Sequence, residues 1–145
     1  MKELEKRAKN KITEQFSTIH NYIDLDQMIL RKGAISARDG EKIIVPMNMR
    51  DGSYLCVGKG NPDWNYSAPH GAGRAMSRKE AKEQITLTQY QKAMQNVFST
   101  TVSRATIDEA PFAYKPPQEV IENSQDTMTV VKSIKSLYNF KAGQE

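Results

Sequence analysis

At 145 residues the chain is long enough for one domain with a modest core. Its net charge of +4 and isoelectric point of about 9.1 suit a polyanionic partner. A lone cysteine excludes an intrachain disulfide, no apolar run is long enough to span a membrane, and the charged N-terminus lacks the apolar centre of a signal peptide, so a cytoplasmic protein without membrane attachment is expected.

Residues 1–16 read as an amphipathic helix, with Leu4, Ala8, Ile12 and Phe16 recurring at every fourth position between lysines and glutamates. His20-Asn21-Tyr22 follows, and on residue type alone His20 is as compatible with a structural role as with a ligand. Residues 27–36 carry strand character, interrupted by Arg31-Lys32-Gly33. Asp39-Gly40 signals a hairpin with 42–45 as the returning strand. Pro46 closes that strand. Asp51-Gly52 marks a second turn, before a strand over 54–57 in which Cys56 reads as a buried residue. Lys59 stands between glycines without the Gly-Lys-Ser/Thr ending of a P-loop. Trp64 and Tyr66 are expected to anchor their loop to the core, with base stacking as the alternative.

The central stretch is Ser67-Ala68-Pro69-His70-Gly71-Ala72-Gly73-Arg74. Glycines here let the backbone come close to a ligand, and Arg74 places a permanent cation beside His70. Ser77 with Glu80 three residues on has the pattern of a capping box, and a helix start favours anions. Two readings compete: a tight turn with a structural histidine, or a histidine nucleophile for phosphoryl or nucleotidyl transfer. Composition and spacing leave both open. Helices are expected over 78–85 and 88–98, the second capped by Thr88. Arg74, Arg78, Lys79 and Lys82 form a basic run that suits solvent or an RNA backbone. Strand character is expected over 98–107, a proline-broken loop over 109–117, a short helix opened by Pro117, and a strand over 127–137. The fold class is α+β, a single domain of mixed strands and helices.

The motifs Gly58-Lys59-Gly60-Asn61 and Pro69-His70-Gly71-Ala72-Gly73-Arg74-Ala75-Met76-Ser77-Arg78 resemble the central signature of the RtcB family. Further family-like motifs follow in the family's order: His20-Asn21, Arg31-Lys32-Gly33-Ala34, Pro46-Met47-Asn48-Met49 with Ser53, Glu109-Ala110-Pro111, Ala113-Tyr114-Lys115 and Lys141. Members join RNA 2′,3′-cyclic phosphate or 3′-phosphate ends to 5′-hydroxyl ends, using GTP and Mn(II). The resemblance implies that His70 takes up GMP and that His20 is a Mn(II) ligand. It implies that Asn21, Gly71, Ala72 and Gly73 lie at the nucleotide's phosphates. Pro46, Met47, Asn48, Met49 and Ser53 would line the guanine pocket, Tyr114 would lie by the base, and Lys141 would reach the base or phosphates. Asn48 departs from the serine expected there, and Ala142 from the glycine expected after the final lysine.

The likeness covers only the C-terminal portion of a family member, with 17–141 as the nucleotide-binding region. Further metal ligands of the family find no counterpart in this sequence. A fragment, a truncated gene and a split enzyme completed by a separate N-terminal chain are all compatible with that. The expected partner is RNA, in tRNA splicing or RNA repair. A binding module without turnover is the alternative. A histidine phosphotransfer domain would share the nucleophile but not the other motifs.

Overall fold

The computed structural model describes residue 6 and residues 11–142. The elements run β1 (His20–Asp24), β2 (Ile29–Ser36), β3 (Lys42–Pro46), β4 (Ser53–Gly58), β5 (Ser67–Pro69), α1 (Arg78–Gln84), α2 (Leu87–Ala93), α3 (Pro117–Glu122) and β6 (Met128–Ile134). Short 3-10 turns lie at Pro62–Trp64, Arg104–Glu109 and Pro111–Ala113. Two antiparallel three-stranded sheets form, in the orders β1-β2-β5 and β3-β4-β6, so the α+β expectation holds.

The second sheet follows from alternation in β3, whose Ile43 and Val45 are fully buried while Lys42 points outward. They meet Cys56 of β4, Met128 of β6, and Ile35 and Ala68 from the first sheet in one apolar core. Each such side chain contributes roughly 1.5–3 kcal/mol on full burial. A second core packs Ala81, Ile85, Tyr90 and Met94 of the helical region against Met49, Ile107, Ala110 and Ala113. Tyr114 packs against both cores. The segment 46–49 also bridges them, with Met47 in the first and Met49 in the second.

The two Asp-Gly turns behave differently. Asp51-Gly52 closes the β3–β4 hairpin, pairing Pro46 with Ser53. Gly52 has φ +76°, and a β-carbon there would lie 2.0 Å from the Ile134 carbonyl oxygen, so only glycine fits. Asp39-Gly40 does not close a hairpin, because β2 and β3 belong to different sheets. Glu41 accepts from Ser36 Oγ (2.7 Å) and the Arg38 amide (2.9 Å), which fixes a local corner where the chain changes sheet.

Most of the expected N-terminal helix lies outside the described residues, and 11–19 carries neither helix nor strand. Glu14 of that stretch pairs with Lys42. The strand expected over 98–107 is absent. Phe98 forms one bridge with Tyr138, and Arg104–Glu109 turns as a 3-10 helix. Thr106 Oγ1 accepts from the Ser103 amide and donates to the Thr101 carbonyl, local bonds that replace a ladder. The second helix is capped by Thr86, not Thr88, through a reciprocal bond pair with Gln89. Ser77 and Glu80 form the expected capping box, and Pro117 opens α3. Cys56 is buried, and burial pushes its thiol up to about 11.

Candidate functional site

An open cavity of about 570 Å³ lies where the two cores meet. Its walls include Pro46, Met47, Asn48, Met49 and Ser53 from the β3–β4 corner, and His70, Gly71, Ala72 and Gly73 from the loop after β5. Tyr114 and Lys141 complete it, together with Arg74, Arg78, Ser136 and Asn139. Five separate stretches of sequence therefore meet around one space. The loop is held there by the Ala72 amide, which donates to the Pro46 carbonyl (3.0 Å). Gly73, at φ +69° with nothing within 4 Å of a built β-carbon, leaves the loop's backbone open to the cavity.

His70 is half-buried and positioned by the first sheet. Its amide donates to the Gly33 carbonyl (3.4 Å), and a β-carbon built on Gly33 would touch the ring at 3.7 Å. On its other side His20 stacks on it, with ring centroids 5.3 Å apart. Asn21 Oδ1 accepts from the Gly33 amide (2.7 Å), so the His20-Asn21 pair helps seat the strand under His70. His20 and Asn21 do not line the cavity itself. Among the described residues two buried side-chain nitrogens have no hydrogen-bond partner, His70 Nδ1 and Arg74 Nη1.

Glu109 organises the far wall, a role the sequence motif alone did not assign it. Tyr114 donates to its Oε2 (2.6 Å) and Arg78 to its Oε1 (2.6 Å), while Lys141 Nζ lies 3.2 Å from Oε2. Arg74 Nη1 stands 3.6 Å from Oε1, close enough for ionic attraction but too far for a hydrogen bond. Burial works against the Glu109 charge, but the bonds from Tyr114 and Arg78 and the Lys141 ammonium overcome it and hold the carboxyl below its ordinary range. Burial and the Glu109 carboxylate push the Tyr114 phenol up to about 12. The sequence cue to Glu109 is a carboxylate in an otherwise apolar, proline-broken loop.

Other residues depart from expectation. Asn48 lines the cavity, but its amide is engaged in the turn: Nδ2 donates to Asp51 Oδ2 (2.8 Å), and Oδ1 accepts from the Arg50 and Asp51 amides. These bonds occupy the carbonyl oxygen and one of the two Nδ2 hydrogens. Arg31, which interrupts the strand pattern of 27–36 with charge, is buried: it is 1% exposed and bonded to Ser67 Oγ, the Tyr22 hydroxyl and the Asn65 carbonyl. Lys59 ties its Nζ to the Gln125 carbonyl (2.5 Å). Trp64, expected to anchor its loop, is 55% exposed. Tyr66 is half-buried, with the Arg38 guanidinium 5.9 Å from its ring centre.

Among the described residues no three His, Cys, Asp or Glu side chains cluster as a metal site, and no helix is long and apolar enough to cross a membrane. Cys56 is buried in the apolar core. The described residues therefore do not make up a Mn(II) site by themselves.

A family model described as tRNA-splicing ligase RtcB matches residues 1–142. The RNA-splicing ligase RtcB of Escherichia coli is 33% identical over 130 residues, which cover 86% of this chain and 32% of that protein. RNA-splicing ligase RtcB1 of another Escherichia coli strain is 31% identical over 143 residues, 94% of this chain and 35% of that protein. The tRNA-splicing ligase RtcB of Aeropyrum pernix is 39% identical over 88 residues, 57% of this chain and 18% of that protein. The chain thus spans about a third of the length of the two Escherichia coli relatives.

Proposed function

Because this chain belongs to the RtcB family of tRNA-splicing ligases, we propose that it is the nucleotidyl-acceptor portion of an RNA ligase. The ligase joins RNA 2′,3′-cyclic phosphate or 3′-phosphate ends to 5′-hydroxyl ends, with His70 as the nucleophile and GTP as the nucleotide donor. The observation that carries this reading is the cavity itself, which gathers the corner at 46–49, Ser53, the loop 70–73, Tyr114 and Lys141 around one histidine.

The chemistry follows from the imidazole's surroundings. Nδ1 is buried over Gly33, which leaves Nε2 to attack. A neutral ring offers the Nε2 lone pair near neutral pH. Nε2 bonds to the α-phosphorus as pyrophosphate departs, giving GMP linked to His70. An RNA 3′-phosphate oxygen then takes the GMP and frees the ring. The 5′-hydroxyl attacks the activated 3′-phosphorus, and GMP leaves as the phosphodiester closes. Backbone amides of Gly71 and Gly73 are suited to phosphate oxygens, while that of Ala72 holds the loop to the Pro46 carbonyl, and Arg74 Nη1, which makes no hydrogen bond, adds a cationic donor. Tyr114 lies by the base, and Lys141 reaches the base or phosphates. Guanine rests against Pro46, Met47, Met49 and Ser53, with Asn48 shaping the turn.

His20 contributes one imidazole towards Mn(II), and Asn21 holds the strand beneath the phosphates. The remaining metal ligands come from outside the described residues, in a longer chain or a separate N-terminal partner, and no step above is routed through the metal. A second reading, a nucleotide- or RNA-binding module without turnover, is favoured by one observation, the lack of a metal-ligand cluster among the described residues.

Incubation with radiolabelled GTP and Mn(II) tests the reading, alone and with an RtcB N-terminal chain, comparing His70→Ala. Acid-labile label that requires His70 supports the acceptor. Label only with the second chain indicates a split enzyme. No label in either case favours the binding module.

A further inference from the structure

A second cleft, of about 340 Å³, opens behind the histidine loop and shares no wall with the first cavity. It runs along β2 from Leu30 to Ala34 and along β5 from Ser67 to Pro69, ending one residue short of His70. Trp64 and Asn65 form one wall, and the end of α3 at Asn123 and Ser124 forms another. Its charged residues are Arg31 and Lys32, and no carboxylate lines it. Lys32 is exposed and makes no ion pair among the described residues.

Trp64 is the chain's single tryptophan, and it is 55% exposed at the wall of this cleft. The loop holds it there rigidly. Asn61 caps the 3-10 turn that carries Trp64, accepting from the Asp63 amide (3.0 Å) and donating to the Asp126 carbonyl (3.1 Å). Asn65 and Tyr66 take left-handed conformations at φ +50° and +51°, and the buried Arg31 guanidinium donates to the Asn65 carbonyl (3.2 Å). A flat aromatic face held in place, with an unpaired ammonium beside it, fits a nucleobase with its phosphodiester. Aliphatic protein partners need neither feature.

We propose that the Trp64 cleft binds single-stranded RNA, stacking an unpaired base on Trp64 with the adjoining phosphate on Lys32, and so leads a strand towards His70. This rests on the RNA ligase reading for its choice of polyanion. The bound strand runs along β5, so its end lies beside the loop where the ligation chemistry is placed.

Because the chain has one tryptophan, its fluorescence reports this cleft alone. A short single-stranded oligouridylate bearing a 3′-phosphate is titrated into the full chain. The expected result is saturable quenching that weakens with added salt. Trp64→Ala weakens binding of the labelled oligouridylate, read by anisotropy, by about tenfold, whereas Trp64→Phe keeps most of it. Trp64 belongs to neither apolar core, so these variants fold. Lys32→Glu, which leaves the fluorophore intact, weakens binding and flattens the salt dependence. The proposal is overturned if RNA binds without moving the fluorescence, if Trp64→Ala binds as tightly as the wild type, if inorganic polyphosphate quenches equally, or if no RNA binds. Loss of GMP labelling with quenching intact would sink the ligase reading and leave this cleft standing.

Discussion

Arg31 lies in the sheet that carries His70's loop and Arg74 lines the cavity with His70, and the contrast between them separates framework from site. Arg31, in the first sheet, uses Nε, Nη1 and Nη2 in bonds to Ser67, Tyr22, Asp24 and the Asn65 and Tyr66 carbonyls. It is fully satisfied and sealed from water. Arg74, beside the helical core, donates through Nε to the Met76 carbonyl and through Nη2 to the Asp108 carbonyl, and leaves Nη1 buried with only the 3.6 Å ionic attraction of Glu109 and no hydrogen bond. A buried donor without a hydrogen bond costs about 1–3 kcal/mol, so Nη1 is the Arg74 nitrogen with unused donor capacity, on a residue that lines the cavity. The first arginine fixes the strand under His70, and the second lines the cavity beside it.

Substitutions sharpen that contrast. Arg31→Met removes the buried guanidinium's bonds to Ser67, Tyr22 and the Asn65 and Tyr66 carbonyls and breaks the ion pair with Asp24, and is expected to destabilise the chain by about 3 kcal/mol in chemical denaturation. A variant as stable as the wild type would show that the guanidinium network is incidental. Glu109→Gln removes the charge that holds Arg78, Tyr114 and Lys141, at a cost of about 2 kcal/mol near neutral pH. The folded carboxyl lies below its ordinary value of about 4.3, so this stability is full above that value and is lost as pH falls through the folded one. Thermal midpoints of wild type and Glu109→Gln should therefore converge in acid, and a constant gap down to pH about 2 would contradict the ionised cluster. Arg74→Met is expected to change stability by about 1 kcal/mol or less, since it also removes an orphaned donor. GMP labelling should nevertheless fall at least about tenfold, the size of one lost charged contact in a phosphate site. If stability collapses while labelling per folded molecule holds, Arg74 belongs with Arg31. Ser77→Ala deletes one half of the α1 capping box and should cost only about 0.5 kcal/mol, read from the denaturation midpoint.

Local chemistry was legible in the sequence, and long-range satisfaction was not. The Ser77–Glu80 box and the Pro117 helix start need only residues within one turn, and both are present. The Asp51-Gly52 hairpin likewise follows from its own residues. Asp39-Gly40 carries the same signal, yet Glu41 turns it into a corner between sheets, because β2 finds β5 and β3 finds β4 as partners. The threonines of 98–107 favour a strand, but beyond the one bridge at Phe98 no ladder forms there and the hydroxyls bond locally instead. The burial of Arg31 has no local cue in the sequence, because the carbonyls that bury it come from residues 65 and 66. At the site, the stretches that line the cavity were legible as motifs. The engagement of the Asn48 amide in its turn and the organising role of Glu109 emerge only from three-dimensional neighbours.

Mass spectrometric mapping of the chain after incubation with GTP, Mn(II) and an RtcB N-terminal chain tests the central claim most directly. The account predicts one GMP-bearing peptide, the one containing His70, with the modification lost in acid and absent from His70→Ala. GMP on any other residue, or the same yield from His70→Ala, would contradict it.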